Sequence, residues 1–215
     1  MDRHTVAPPG GAIVVDEPGE PTGLLHEGAR ALVQNALPPL SRQERTDAIR
    51  SALAKLARLG VTSYAEPGLG PGGDGIMRGA LGTETLDVYR RLLADGELTA
   101  RLGVLLLPGG MASTAEEFTR GLTALTDSGD ADPRRLAIHG VKIFADGVVP
   151  NRTAWMHEPY VGGCGSLCVG GETDAQRVAE IEAMIRHAHA AGYQLGVHVT
   201  GDRVSTPSRT LSPRP

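Results

Sequence analysis

Apolar residues recur along this chain at two periods, and the periods take turns. Residues 11–16 (GAIVVD) read as a short strand. Glu17-Pro18-Gly19-Glu20 is a turn, and residues 22–26 return as a second strand, so the pair is expected to form a hairpin. A short helix is expected over 27–37, stopped by Pro38-Pro39. Ser41-x-x-Glu44 is a capping box, and Ala48, Ile49, Ala52, Leu53 and Leu56 follow at helical spacing up to Gly60. A strand is expected at 61–65, then a glycine-rich loop over 67–82 and a helix from Thr83 through Leu86, Tyr89, Leu92 and Leu93. Residues 102–107 (LGVLLL) form an unbroken apolar run, as in a strand covered on both faces. Ser113-x-x-Glu116 is expected to open a third helix carrying Phe118, Leu122 and Leu125. A strand follows at 136–144, with Ile138, Val141, Ile143 and Phe144 as its buried residues. Thr173-x-x-Gln176 opens a helix with Val178, Ile181, Ile185 and Ala188 on one face, closed by Gly192, and residues 193–199 are the last strand.

After the hairpin, strand and helix therefore alternate through four strands. Helices of that length between strands imply parallel pairing with right-handed crossovers. The expected class is α/β, a partial TIM-type (β/α) barrel. Residues 1–40 would be the hairpin and short helix inserted beside it, 41–202 the partial barrel, and 203–215 an unstructured tail. The tail has no apolar period and holds three prolines. A βα unit would need a helix there, so the pattern stops in mid-fold, and we expect an internal fragment of a longer gene. The loop between the strand at 136–144 and the helix opened by Thr173 runs to about 27 residues, and loops of that length tend to be functional.

Composition narrows the function more by exclusion than by indication. A net charge of -4 and an aromatic content of 3% give no reason to expect nucleic acid or an anionic membrane as partner. Two cysteines, Cys164 and Cys168, make no disulfide framework, and no run reaches the length of a membrane span. A cytoplasmic location is the default expectation. The candidate chemistry sits at Lys142. A lysine inside an apolar strand must pair, lose its charge or react, and in a β/α barrel the C-terminal strand ends build the active site.

Four stretches carry a resemblance: GGAIVVDEPGEPTGLLHEGA, GVTSYAEPG, GVKIFADGVVPNRTAWMHEPY and GYQLGVHVTGD, in that order. Together they resemble the metal-dependent amidohydrolase superfamily, in particular its amidohydrolase-3 branch of YtcJ-like proteins and N-substituted formamide deformylases. The resemblance implies a TIM-type barrel, of which this chain would hold about strands two to five. It implies hydrolysis of a small amide-type substrate, at a carbon–nitrogen bond other than a peptide bond, by a metal-activated water. Lys142 falls where the family's fourth strand supplies a lysine, carboxylated in much of the superfamily, and His198 where the fifth strand supplies a metal-binding histidine. A divalent metal is implied, zinc by the donor types, as one or two ions in a complete site. Arg152 and Tyr160 border the implied substrate pocket. Asp146 and Asp202 would hold the ligands or shape the loops around them, with Thr200 beside them. The family's His-x-His strand has no counterpart upstream of Val61, and its later histidine and aspartate lie past the end of this sequence. Half a barrel would leave open sheet edges, through which self-association is expected. A non-catalytic half-barrel, either a remnant or a binding protein, is the alternative.

Other signals have ordinary readings. His187-Ala188-His189 lies in a helix, where neighbours two apart point about 200° from each other and share no ion. Gly68-x-Gly70-x-x-Gly73 matches the dinucleotide fingerprint, but Pro71 sits inside it and no helix begins at once. Cys164 and Cys168 lack a second ligand pair, and are expected as free thiols.

Overall fold

The computed structural model describes residues 1–8, 11–34, 36–74, 76–126, 132–162 and 165–204. Strands β1 (Gly11–Val15) and β2 (Pro21–Glu27) pair antiparallel as the expected hairpin. The short helix is only α1 (Ala31–Gln34), preceded by a 3-10 turn at Gly28–Arg30. Then come α2 (Arg42–Arg58), β3 (Ser63–Leu69), α3 (Thr83–Ala94), β4 (Arg101–Leu106), α4 (Ala115–Thr126), β5 (Leu136–Phe144), α5 (Asp174–Ala190) and β6 (Leu195–His198). The four later strands make one parallel sheet in the order β3-β4-β5-β6. The sheet curls as half of a (β/α) barrel.

The two faces of the sheet differ. Leu102, Val104 and Leu106 of β4, with Val141 and Ile143 of β5, are buried toward the helices, where they meet Leu86, Leu92, Phe118 and Leu122. Positions in between point to the inside of the half-barrel. Gly103, Leu105, Lys142, Phe144, Gly196 and His198 lie there by register and alternation. A bulge interrupts β5: Val104 pairs with Ile138 but Leu105 with Gly140, so His139 is an extra residue. Its ring lies where a side chain on Gly103 would stand, 2.3 Å from the ideal Cβ position. Ile138, expected as buried, is 40% exposed beside this bulge, which breaks the alternation.

Strand starts at 61 and 193 were expected two residues too early, for one reason. After α2, the Val61 amide donates to the Leu56 carbonyl and Gly60 (φ 72°) to Ala57. After α5, Tyr193 donates to Ala188 and Gly192 (φ 84°) to His189. This is the Schellman closure, which uses the apolar residue after the glycine to finish the helix. β3 also runs further than expected, to Leu69. Leu69 pairs with Leu106 across an irregularity that admits Pro67, on a strand with no neighbour on its other side among the described residues.

The third capping box is shifted by one. Thr114, not Ser113, exchanges bonds with its partner: the Glu117 amide donates to Thr114 Oγ1 at 3.3 Å, and the Thr114 amide to Glu117 Oε2 at 2.9 Å. The Ala115 amide donates to Glu180 of α5, which ties the two helices together. The boxes at Ser41–Glu44 and Thr173–Gln176 form as expected. Residues 205–215 of the expected tail lie outside the described residues, while Val204 is buried in the core.

The capping geometry makes a direct prediction. Thr114→Ala is expected to lower unfolding free energy by about 1 kcal/mol, the usual worth of an N-cap hydroxyl. Ser113→Ala is expected to cost less than half as much. Urea denaturation of both variants checks the difference, and a larger loss at Ser113 would contradict the assigned cap.

Candidate metal-binding site at the strand ends

Lys142 and His198 stand on one face because of register. Lys142 pairs with Gly196 and Phe144 with His198, so all four positions face the interior of the half-barrel near the C-terminal strand ends. Lys142 Nζ lies 5.0 Å from the centroid of the Phe144 ring, and that ring lies 6.1 Å from the His198 ring. Partial burial lowers the lysine pKa below the ordinary lysine value, because desolvation penalises the charged amine. The nearest aspartate in sequence does not neutralise it, since both oxygens of Asp146 are engaged elsewhere. The stem runs past Gly68, where a Cβ would make an ordinary contact of 3.6 Å with Lys142 Cγ.

His198 is oriented through Nε2, which lies 3.2 Å from the Gly147 carbonyl and 3.1 Å from Thr200 Oγ1. A carbonyl only accepts, so the tautomer that satisfies it carries its proton on Nε2. The Nδ1 lone pair is then the one left to bind a cation.

Asp146 is 1% exposed. Its Oδ2 accepts from the amides of Trp155 (2.9 Å) and Gly201 (2.7 Å), and its Oδ1 from the amide of Thr200 (2.9 Å). Asp202 Oδ1 accepts from the His157 amide at 2.8 Å. Both oxygens of Asp146 thus face backbone. Arg152 is exposed, in the left-handed region at φ 56°, and donates to the Val161 carbonyl at 3.1 Å. Tyr160 is half-buried, and its hydroxyl is buried with no hydrogen-bond partner among the described residues. The structure does not bring Arg152 into contact with Lys142 or His198.

The histidine pair on α5 and the glycine-rich loop have ordinary settings. His187 and His189 are exposed on α5. In the loop at 68–73, the backbone of Gly72 is packed against that of Gly109, with an ideal Cβ only 2.3 Å from its carbonyl carbon. That leaves no cradle for a pyrophosphate. The Cys168 amide donates to the Ala145 carbonyl at 2.7 Å, and Cys164 lies outside the described residues. An apolar cavity lined by Trp155, Ile181, Ile185 and Val197 lies on the helix side of the sheet. At about 60 Å³ it falls well short of a ligand pocket.

One cluster was not anticipated. Glu66 on β3 is half-buried, and it lies close to Tyr89 of α3 and to Tyr64. Burial raises the Glu66 carboxyl above the ordinary glutamate range, and raises both tyrosines. The signal available in sequence was the alternation Tyr64-x-Glu66 within a strand, which puts a carboxylate on the helix-facing side. Its consequence for stability has a definite sign. The folded state holds the Glu66 proton more tightly than the unfolded state, so stability is expected to fall as pH rises from the ordinary glutamate range through the raised folded value. Glu66→Gln should flatten that slope. Urea unfolding between pH 4 and pH 8 tests it, and an unchanged slope in the variant would contradict the assignment.

As a metal site the arrangement is partial. A lysine able to take up a carboxyl group and an imidazole suit a hard or borderline cation. Among the described residues, however, no group of three or more His, Cys, Asp or Glu side chains gathers. Two donors on adjacent strands fit part of a ligand set without completing one.

Comparison with known proteins fixes the family. A family model described as the amidohydrolase family matches residues 1–211. YtcJ of Bacillus subtilis (strain 168), named an amidohydrolase, is 29% identical over 205 residues, which cover 94% of this chain and 34% of YtcJ. The protein LONG AFTER FAR-RED 3 of Arabidopsis thaliana is 26% identical over 201 residues, covering 94% of this chain and 32% of its own length. The crystal structure of an uncharacterized metal-dependent hydrolase from Pyrococcus furiosus aligns with a TM-score of 0.57 at 26% identity, over 90% of this chain and 36% of that one. A second such hydrolase, from Pyrococcus horikoshii OT3, shares the fold at a TM-score of 0.58 and 23% identity, over 90% of this chain and 35% of its own. The chain thus spans about a third of the length of the relatives it matches. A match over nearly every residue, in a sheet that curls as half of a (β/α) barrel, makes this chain a member of the amidohydrolase family.

Proposed function

We propose that this chain contributes Lys142 and His198 to a divalent-metal site that hydrolyses a carbon–nitrogen bond of a small, non-peptide amide. The observation that carries the reading is the register of β5 and β6, which brings both residues to one face at the strand ends. Zinc is the ion the donor types favour. When bound, such an ion lowers the pKa of its water and polarises the substrate carbonyl. Lys142 serves through its neutral amine, the form that partial desolvation promotes and that carboxylation requires. His198 serves through Nδ1, with Nε2 held by Gly147 and Thr200. The Tyr160 hydroxyl is a candidate for a polar group of the substrate, and Arg152 for a carboxylate at the rim. Further donors would come from lengths of the relatives that this chain does not span. A cytoplasmic setting accompanies the reading, as does self-association through the outer strands β3 and β6.

The partial donor set favours a second reading, a half-barrel that binds without turnover. Metal content separates the two. The purified chain is expected to take up zinc from solution. Lys142→Ala and His198→Ala should each weaken that uptake by more than about a hundredfold, beyond the loss an outer hydrogen-bond partner causes. Hydrolysis of N-formyl and N-acyl amines, measured with and without a chelator, should track the bound metal. Zinc uptake unaffected by either substitution would overturn the proposed ligands, and zinc bound normally without any hydrolysis would favour the binding protein.

A further inference from the structure

Asp146 is the most deeply buried carboxylate described in the molecule, and it makes no ion pair among the described residues. Three backbone amides from two different loops satisfy it instead: Trp155 from the loop after β5, and Thr200 and Gly201 from the segment after β6. The joint is closed by sterics as well. A Cβ on Gly201 would stand 2.1 Å from the Trp155 carbonyl oxygen, and one on Gly147 would stand 2.1 Å from Thr153 Oγ1. The outer side is shut by Arg203, whose guanidinium lies 4.2 Å above the Trp155 ring and 3.3 Å from Asp174. Both groups that hold His198 Nε2 belong to this joint. Thr200 is held by Asp146 through its own amide, and Gly147 follows Asp146 in the chain.

We infer that Asp146 is a positioning residue: its carboxylate clasps the loop after β5 to the loop after β6, and through Thr200 and Gly147 it holds the His198 ring in the tautomer with the proton on Nε2. The role needs a carboxylate of this length. Two acceptor oxygens meet three donors, whereas an asparagine offers one oxygen and points an amide NH2, itself a donor, at backbone N–H groups. A charged acceptor also forms the stronger bonds. The inference rests on the reading above only for the purpose of His198. The clasp itself stands or falls without a metal.

The test uses the full chain, labelled with nitrogen-15, without added metal. In the unmodified chain the amides of Trp155, Thr200 and Gly201 are expected to exchange slowly with solvent, and the His198 ring to show one tautomer with Nε2 protonated. Asp146→Asn should speed exchange at all three amides together by about ten- to a hundredfold, the range from losing a charge-assisted hydrogen bond. Amides of β4 should keep their rates, and the His198 ring signals should become those of a tautomer mixture. Gly201→Ala, which forces the Trp155 carbonyl away, should produce the same joint loss, and the double variant should lose little more than either single one. Unchanged His198 ring signals in Asp146→Asn, or exchange that rises at only one of the three amides, would overturn the inference. If Asp146→Asn does not fold, Gly201→Ala and the unmodified chain decide, since fast exchange at Trp155 and Gly201 in the latter is equally fatal. A failure to bind zinc would sink the proposed function and leave these amides unaltered.

Discussion

A carboxylate taken out of water must find donors, and the way Asp146 finds them governs the chemically interesting end of this molecule. Backbone amides are obligatory hydrogen-bonding groups, as costly to orphan as the carboxylate itself. Two loops with unpaired amides and one buried anion solve the same problem jointly. The long segment after β5 is consequently not a free loop. Its ends are drawn together by the bridge between Asp146 and Leu167 and by the bond from the Cys168 amide to the Ala145 carbonyl. His198 inherits a fixed orientation from the same joint, although it touches no oxygen of Asp146.

The sheet explains why Lys142 is tolerated beside this joint. One face of each strand is filled by leucine, valine and isoleucine against the helices, and that face carries the hydrophobic stabilisation. The other face is half-open, so the lysine loses part of its hydration but not all of it. Its ammonium rests near the Phe144 ring, an arrangement that offsets some of the loss. A lysine on the helix side would need a full counter-charge, as Arg45 has in Glu84. The inner face of a parallel half-barrel is thus a place where an amine can lose part of its hydration without a full counter-charge.

Much of this was legible in the residues. Strand and helix order and parallel pairing follow from periodicity, and the positions of Lys142 and His198 on neighbouring strands follow from the resemblance of the motifs around them; that the two share a face comes from the register. The misjudged boundaries have local causes. Val61 and Tyr193 look like first residues of strands because they are apolar, yet each closes a helix through a glycine in the left-handed region. Ser113 and Thr114 are equivalent cap candidates in sequence, and only the path of the chain into α4 chooses between them. The extra residue His139 in β5 leaves no mark in composition at all. Asp146 was singled out as a supporting residue, but its partners could not be named, because an amide donor carries no side-chain identity. Glu66 escaped notice because the tyrosine that meets it arrives from a helix 23 positions later.

Family membership and local geometry bear on different parts of the functional question. The family match reaches residue 211 and accounts for the barrel. It does not account for which nitrogen of His198 is free, or for why an aspartate and two crowded glycines surround it. Those follow from distances. Gly147 and Gly201 have negative or extended backbone angles, so neither is needed for conformational freedom; each is required because another residue's oxygen occupies the space of a side chain. The motif Ala145-Asp146-Gly147 and the motif Thr200-Gly201-Asp202 are therefore two halves of one physical object. Selection acting on either half would be constrained by the other, whatever substrate the remaining loops of the barrel admit.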